Sequence, residues 1–328
     1  MAQTRRERQK AKFKKSSLRK QFSQVKVLEK KESFSPPKSF FGKIYYHHYK
    51  TLLILPLLML LISFVVIGMK FATTGEVINR GVSLKGGVTV TIPMSSYDLQ
   101  VIESSLQSQF PGTDLLVRGM EEFGTPKGVL VTADIPTSEA NRFIDALSIE
   151  TGVDKEDFEI RTTAPSLGSA FFHQTFKALL IAFVFMSVVV FLYFRSPIPS
   201  LAVILAALSD IVITLAVVDF IGLKLSTAGI AAFLMLIGYS VDTDILLSTR
   251  VLKRKELGTV YERIIGAMKT GMTMTLTTLI AVFLAMVFTT SVDLQQIMII
   301  VFIGLLVDII NTWIQNAGIL RWYMERQK

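Results

Sequence analysis

Residues 225–247 read LSTAGIAAFLMLIGYSVDTDILL. As a helix this stretch is long enough to cross a bilayer core, which takes about 20 apolar residues. Its last third nevertheless holds two carboxylates, Asp242 and Asp244. Ionisable groups at membrane depth are costly, so they point to function by default. The small residues Ala228, Gly229, Ala231 and Ala232 permit close contact with a neighbouring helix. Two residues apart, the carboxylates point roughly 200° from each other on a helix, so both cannot line one interior path. Asp242 is the deeper one and is expected to face the path. Asp244 is expected nearer the interface, paired with Lys269 or Arg250, or simply solvated at the helix end.

Working outward, five more apolar runs reach spanning length: Leu52–Met69, Phe176–Phe194, Pro199–Phe220, Met268–Phe288 and Leu294–Ile319. The layout is one span, a polar insertion, then five spans joined by short turns. This predicts a polytopic α-helical membrane protein with six transmembrane helices. The expected divisions are a basic arm and interfacial segment over 1–50, a first span over 51–70 and an inserted domain over 71–165. Five spans and a short C-terminus occupy 166–328. Lys and Arg near span ends set orientation. One side collects the N-terminal arm, Arg195, Arg250, Lys253, Arg254, Lys255, Arg263, Lys269, Arg321, Arg326 and Lys328. The other side's short segments hold Lys224 and Lys177. Both termini are therefore expected in the cytoplasm, and residues 71–165 outside it.

The chain has 328 residues, 51% hydrophobic, and a net charge of +9. That charge belongs to the arm: residues 1–50 carry 15 Lys and Arg against Glu7, Glu29 and Glu32. The arm reads as a solvated tail that helps fix topology, or as a polybasic segment on anionic lipid or ribosomal RNA. No motif for a specific nucleic acid appears. The aromatic group Phe40, Phe41, Tyr45, Tyr46 and Tyr49 suits an interfacial belt before the first span. The absence of Cys excludes disulfides, thiol nucleophiles and thiolate metal sites. With three His, a zinc or di-iron site is not expected, nor is any other cofactor.

The inserted segment alternates between strand and helix patterns. Val88–Ile92 reads as a strand, Tyr97–Phe110 as a helix, and Leu115–Val117 and Val129–Ile135 as strands joined through a turn at Gly124–Gly128. Ser138–Ile149 reads as a helix and Phe158–Arg161 as a last strand. The order β-α-β-β-α-β predicts an α+β ferredoxin-like domain, a fold that names no function by itself. Gly81–Gly87 lacks the Gly-Lys-Ser/Thr ending and the following helix of a phosphate loop, so it reads as a backbone turn.

Other polar groups interrupt the spans. Asp210 lies near the middle of the third, and Asp219 at its end is expected to be solvated. Asp308 shares a stripe with Asn311 and Gln315 at i, i+3 and i+7. The fifth span has Thr270, Thr273 and Thr277 at similar spacing, with Lys269 at its cytoplasmic end. Asp210 is expected either to link to that threonine stripe or to act on a proton path. Asp308 is open between a structural hydrogen-bond stripe and a proton role. The proton-path candidates are Asp210, Asp242, Asp244, Asp308, Lys269 and Thr277. Carboxylates and hydroxyls without His or Cys suit protons or cations and supply no nucleophile-base pair, so an enzyme is not expected.

Several stretches resemble the SecF branch of the SecD/SecF protein-export family, within the resistance-nodulation-division (RND) superfamily. They are Gly81–Ile92, Pro165–Gly168, Ser209–Leu215, Ile237–Asp244 ending at Arg250, and Thr275–Leu279. The span-four motif, with Gly238, Tyr239 and Ser240, is the most specific. Where the bacterial pattern has Asn-Asp, this chain has Asp242-Thr243, and Asp308 stands where that pattern is uncharged; these departures mark an archaeal type. The resemblance implies an RND-type half that pairs with a SecD-like subunit. It also implies work beside the SecYEG channel on a translocating polypeptide on the outer side, in contact with membrane lipid, and use of the proton-motive force. An RND-type exporter of small molecules or lipids, or a scaffold without proton coupling, are the alternatives.

Overall fold

The structure, a computed structural model, describes residues 40–122, 125–254, 258–289 and 291–327. The basic arm at 1–38 lies outside the described residues, as do Lys255 and Gly124 of the expected turn.

Six helices are long and apolar enough to cross a membrane. The first is α1 (Ile54–Thr74), entered through short helical turns at Phe40–His47 and Tyr49–Leu52. After two shorter helices, α2 (Leu99–Gln109) and α3 (Ala140–Thr151), come α4 (Pro165–Phe194), α5 (Pro197–Phe220), α6 (Thr227–Lys253) and α7 (Val260–Phe288). The last span begins as α8 (Val292–Ile310), widens into a π-helical stretch at Asn311–Asn316 and resumes as α9 (Ala317–Arg326). The chain is thus a polytopic helical membrane protein. α5, α6 and the last span are the most enclosed, while α1 and α4 expose runs such as Leu57, Leu61 and Val65, or Ile181, Phe185 and Val189.

Local chemistry sets the helix ends. Arg195 closes α4 in the left-handed region (φ 50°), and Pro197, which needs no N–H donor, opens α5 two residues later. Ser226 caps α6 by accepting from the Gly229 amide at 3.3 Å, and Thr259 with Glu262 forms a capping box on α7. α4 starts eleven residues before the apolar run at Phe176, because nothing in Pro165–Thr175 breaks a helix after its first turn.

Between α1 and α4 lies a four-stranded antiparallel sheet in the order β2-β3-β1-β4. Its strands are β1 (Gly87–Pro93), β2 (Leu115–Glu122), β3 (Thr125–Ala133) and β4 (Glu159–Thr163). The chain order is strand, helix, strand, strand, helix, strand. The β2–β3 hairpin runs further than expected. Its pairing reaches Glu122↔Thr125, with a register shift at Met120/Glu121 that absorbs the irregular end. α2 and α3 cover one sheet face, burying Val88, Val90, Ile92, Leu106, Val131, Phe143 and Leu147. The opposite face, with Thr89, Thr91 and Thr132, borders a cavity of about 420 Å³ whose far wall includes Lys224, Ser226 and Gln296 of the membrane helices and their turns.

The sheet segment is tied to the helices through backbone. Gly81 N–H donates to the Leu225 carbonyl (2.8 Å), and Leu225 N–H donates to the Asn79 carbonyl (2.7 Å). Gly81–Gly87 is a turn, as expected, containing one helical turn at Val82–Lys85. Gly87 adopts φ 133°, and a Cβ there would lie 2.3 Å from the Ala133 carbonyl oxygen. Gly168 on α4 packs against the same turn: its Cβ would lie 2.8 Å from the Gly86 nitrogen.

Candidate functional site

The interior faces of α5, α6 and the last span bring three carboxylates together. Asp210, Asp244 and Asp308 are all fully buried. α5 contributes Asp210 and Ser209; α6 contributes Ser240, Thr243 and Asp244. The last span contributes Asp308, Asn311, Thr312, Gln315 and Asn316, four of them from the π-helical stretch. π-turns occur mostly as single-turn bulges and frequently at functional sites.

Asp210 accepts from the Ser240 hydroxyl and from Asn311 Nδ2 at 2.7 Å. Asp244 Oδ1 accepts from Asn316 Nδ2 at 2.7 Å and from Thr312 Oγ1 at 3.0 Å. Asp308 Oδ1 lies 2.9 Å from the same Thr312 oxygen, and its Oδ1 and Oδ2 lie 3.3 and 3.2 Å from Thr243 Oγ1. Gln315 Nε2 donates to Ser209 Oγ at 3.2 Å. No ion pair among the described residues reaches these carboxylates. Three buried carboxylates on packed spans, without a basic partner among the described residues, are costly and mark this place as the functional candidate.

The structure reverses the expectation for the span-four pair. Asp244 faces the interior, whereas Asp242 is exposed on the opposite side of α6. Nor does Asp244 pair with Lys269 or Arg250. Arg250 donates instead to the Gly266 carbonyl (2.7 Å) and the Thr270 hydroxyl (3.0 Å), joining α6 to α7. The physical reason is the 100° step of the helix: once Ser240 turns toward Asp210 of α5 and Thr243 toward the last span, Asp244 follows them and Asp242 cannot. Gly238 and Tyr239 are exposed with Asp242, while Ser240 is buried.

Asp210 binds groups on α6 and the last span; the α7 threonines do not reach it. Thr277 is exposed and bonds its own helix at the Thr273 and Met274 carbonyls. Lys269 is exposed too. Asp219, expected in solvent, forms an ion pair with Lys70 of α1, and its side chain is only 8% exposed. The stripe Asp308, Asn311, Gln315 does line the interior. The sequence reading missed Thr243, Thr312 and Asn316. Their signal was available: polar residues at 311, 312, 315 and 316 mark two adjacent helical rows inside an otherwise apolar span.

Comparison with known proteins places this arrangement. A family profile described as protein export membrane protein SecD/SecF, C-terminal, matches residues 144–326. The chain is 39% identical over 275 residues to a protein-export membrane protein SecF of Thermococcus gammatolerans, covering 82% of this chain and 84% of that protein. It is 42% identical over 260 residues to a SecF of Methanothermobacter thermautotrophicus (76% and 85% covered). Among solved structures it is similar to SecDF, a translocon-associated membrane protein from Thermus thermophilus. The TM-score is 0.68 at 19% identity, over 88% of this chain and 39% of that one. The chain belongs to the SecF family of protein-export membrane proteins.

Proposed function

We propose that this chain is the SecF subunit of an accessory complex of the Sec translocon, promoting polypeptide export across the cytoplasmic membrane with coupling to the proton-motive force. The observation that carries the coupling is the carboxylate cluster inside α5, α6 and the last span. Buried acids on packed helices, without a nucleophile beside them, suit a group that gains and loses charge as helices shift. In this reading the chain performs no enzymatic step.

The Lys and Arg distribution supports cytoplasmic termini. The segment between α1 and α4 is then the extracytoplasmic ferredoxin-like domain, supported by its element order and its sheet order β2-β3-β1-β4. It would meet the emerging chain beside the SecYEG channel, while the outer helices meet lipid. A SecD-like subunit completes the assembly. Two facts favour it: this chain spans 39% of the Thermus SecDF chain, and α6 leaves Met235, Gly238, Tyr239 and Asp242 exposed at i, i+3, i+4 and i+7. A carboxylate on an outward helix face at membrane depth calls for a covering partner.

The test is export by the native complex in energised vesicles, with and without a protonophore. Asp210→Asn and Asp244→Asn are each expected to remove the protonophore-sensitive part of export while the subunit stays in the membrane. Unchanged rates and unchanged protonophore sensitivity in both variants would falsify the coupling.

A further inference from the structure

α4 and α6 end side by side, and both ends are cationic. Arg195 closes α4, and Lys253 and Arg254 close α6. All three are exposed. The contacts that join the two ends bring the charges together. Lys253 Nζ lies 3.7 Å from the centroid of the Tyr193 ring and 5.8 Å from that of Phe194, the residue before Arg195. The Tyr193 and Thr249 hydroxyls are 3.3 Å apart. Ser196, the residue after Arg195, has its hydroxyl 3.0 Å from that of Tyr323 on α9.

No anion of this chain answers these cations. Among the described residues no ion pair reaches Arg195, Lys253 or Arg254. The helix dipole accounts for cations near terminal carbonyls. It does not account for an ammonium drawn sideways onto the ring of a neighbouring helix. Tyr193 is itself 45% exposed, so Lys253 stands over a ring that is open to the surroundings, with its charge free to meet an outside anion.

The surface leading up to the cations indicates which anion. Ile181, Phe185, Val188 and Leu192 are exposed on α4 at i, i+4, i+7 and i+11, and Arg195 continues the same stripe. From Ile181 to Leu192 the stripe rises roughly 16 Å, half of the ~30 Å hydrocarbon core and so the depth of one leaflet. An apolar track of that depth, ending in unpaired cations beside hydroxyls, matches an acyl chain ending in a phosphate. A soluble anion would use the cations and leave the track bare. A zwitterionic head would bring a cation of its own to the same place.

We infer that Arg195, Lys253 and Arg254, with Tyr193, hold the headgroup of an anionic phospholipid whose acyl chain lies along α4. The inference rests on α4 facing lipid, as proposed above. It needs neither export nor proton coupling, so its experiment can fail while those stand.

The test uses the full chain, stripped of lipid by prolonged washing in detergent. Dioleoyl phosphatidylglycerol or dioleoyl phosphatidylcholine is then titrated into the micelles, and bound lipid is counted by native mass spectrometry. One phosphatidylglycerol is expected to be retained per chain, about tenfold tighter than phosphatidylcholine and more weakly as salt is added. Lys253→Gln with Arg254→Gln is expected to weaken that binding about tenfold. Lys43→Gln with Lys50→Gln removes the same charge from the segment before α1 and is expected to leave binding unchanged. All four positions are exposed, so the fold is not at stake. Glycerol phosphate, a head without chains, is expected not to displace the lipid. Equal retention of the two lipids, or equal weakening in the two double variants, overturns the inference. Displacement by glycerol phosphate overturns it in favour of a site for a soluble phosphate.

Discussion

The Tyr45 hydroxyl donates a 2.6 Å hydrogen bond to the backbone carbonyl of Trp313, inside the π-helical stretch. The segment before α1 thereby supplies a donor to a span whose own ladder is irregular at that point. Tyr45→Phe removes the donor and leaves the ring. Thermal unfolding in detergent is expected to show a loss of about 0.5–1.5 kcal/mol.

Trp313 is also wedged from the other side. A Cβ at Gly271 of α7 would lie 2.3 Å from Trp313 Cζ2. Gly271→Ala is therefore expected to destabilise by about 1–3 kcal/mol, despite the better helix propensity of alanine. The comparison is the unfolding midpoint beside that of Gly68→Ala, where nothing lies within 4 Å and no loss is expected.

Gly238 has open space around it on the exposed face of α6. Gly238→Leu is expected to leave the isolated chain as stable as the parent. It is expected to remove the proposed SecD-like subunit on co-purification from native membranes. A variant that retains the partner in full would place the interface elsewhere.

Lys70 and Asp219 join α1 to α5 with side chains only 14% and 8% exposed. Lys70→Met strands the carboxylate. The expected loss is about 2–3 kcal/mol, below the ~3–5 kcal/mol of a wholly buried pair because some solvent remains. Lys70→Met combined with Asp219→Asn is expected to recover most of it, since no uncompensated charge is left behind. Chemical denaturation of the four combinations measures the coupling.

Gly168→Val would push a side chain into the Gly86 nitrogen and the Leu84 backbone, both 3.0 Å or less from a Cβ at that position. Hydrogen exchange is expected to quicken across residues 81–93 while α5 and α6 keep their protection. Equal exchange in the variant and the parent would mean that the sheet segment is held mainly by its bonds to Leu225.

The six spans were legible because each is a long apolar run, and the bilayer leaves a helix few alternatives. The strands and short helices between Gly87 and Thr163 were legible from their periodicities. The facing of α6 was not. Asp242 and Asp244 are equally acidic, and only packing against the last span decides which turns inward; depth along the helix carried no information about facing. The π-helical stretch was equally hidden, since Asn311-Thr312-Trp313-Ile314-Gln315-Asn316 has no glycine or proline to announce a change of winding. Asp219 was misjudged for a related reason: its partner Lys70 is remote in sequence and sits on another span.

The widened turn has a bearing on register. A π-turn closes over one more residue than an α-turn, so everything after Asn316 is rotated by about 100° relative to an uninterrupted helix. Arg321 lies in that rotated portion, its guanidinium 4.2 Å from the Tyr49 ring and 5.0 Å from that of Tyr46. Losing a single residue from the stretch would swing Arg321 away from both tyrosines and also misalign Thr312 and Asn316 against Asp244. One extra residue thus sets the phase of two sites at once, the aromatic seat at the helix end and the acidic pocket at depth, so length in this stretch is constrained as tightly as residue identity.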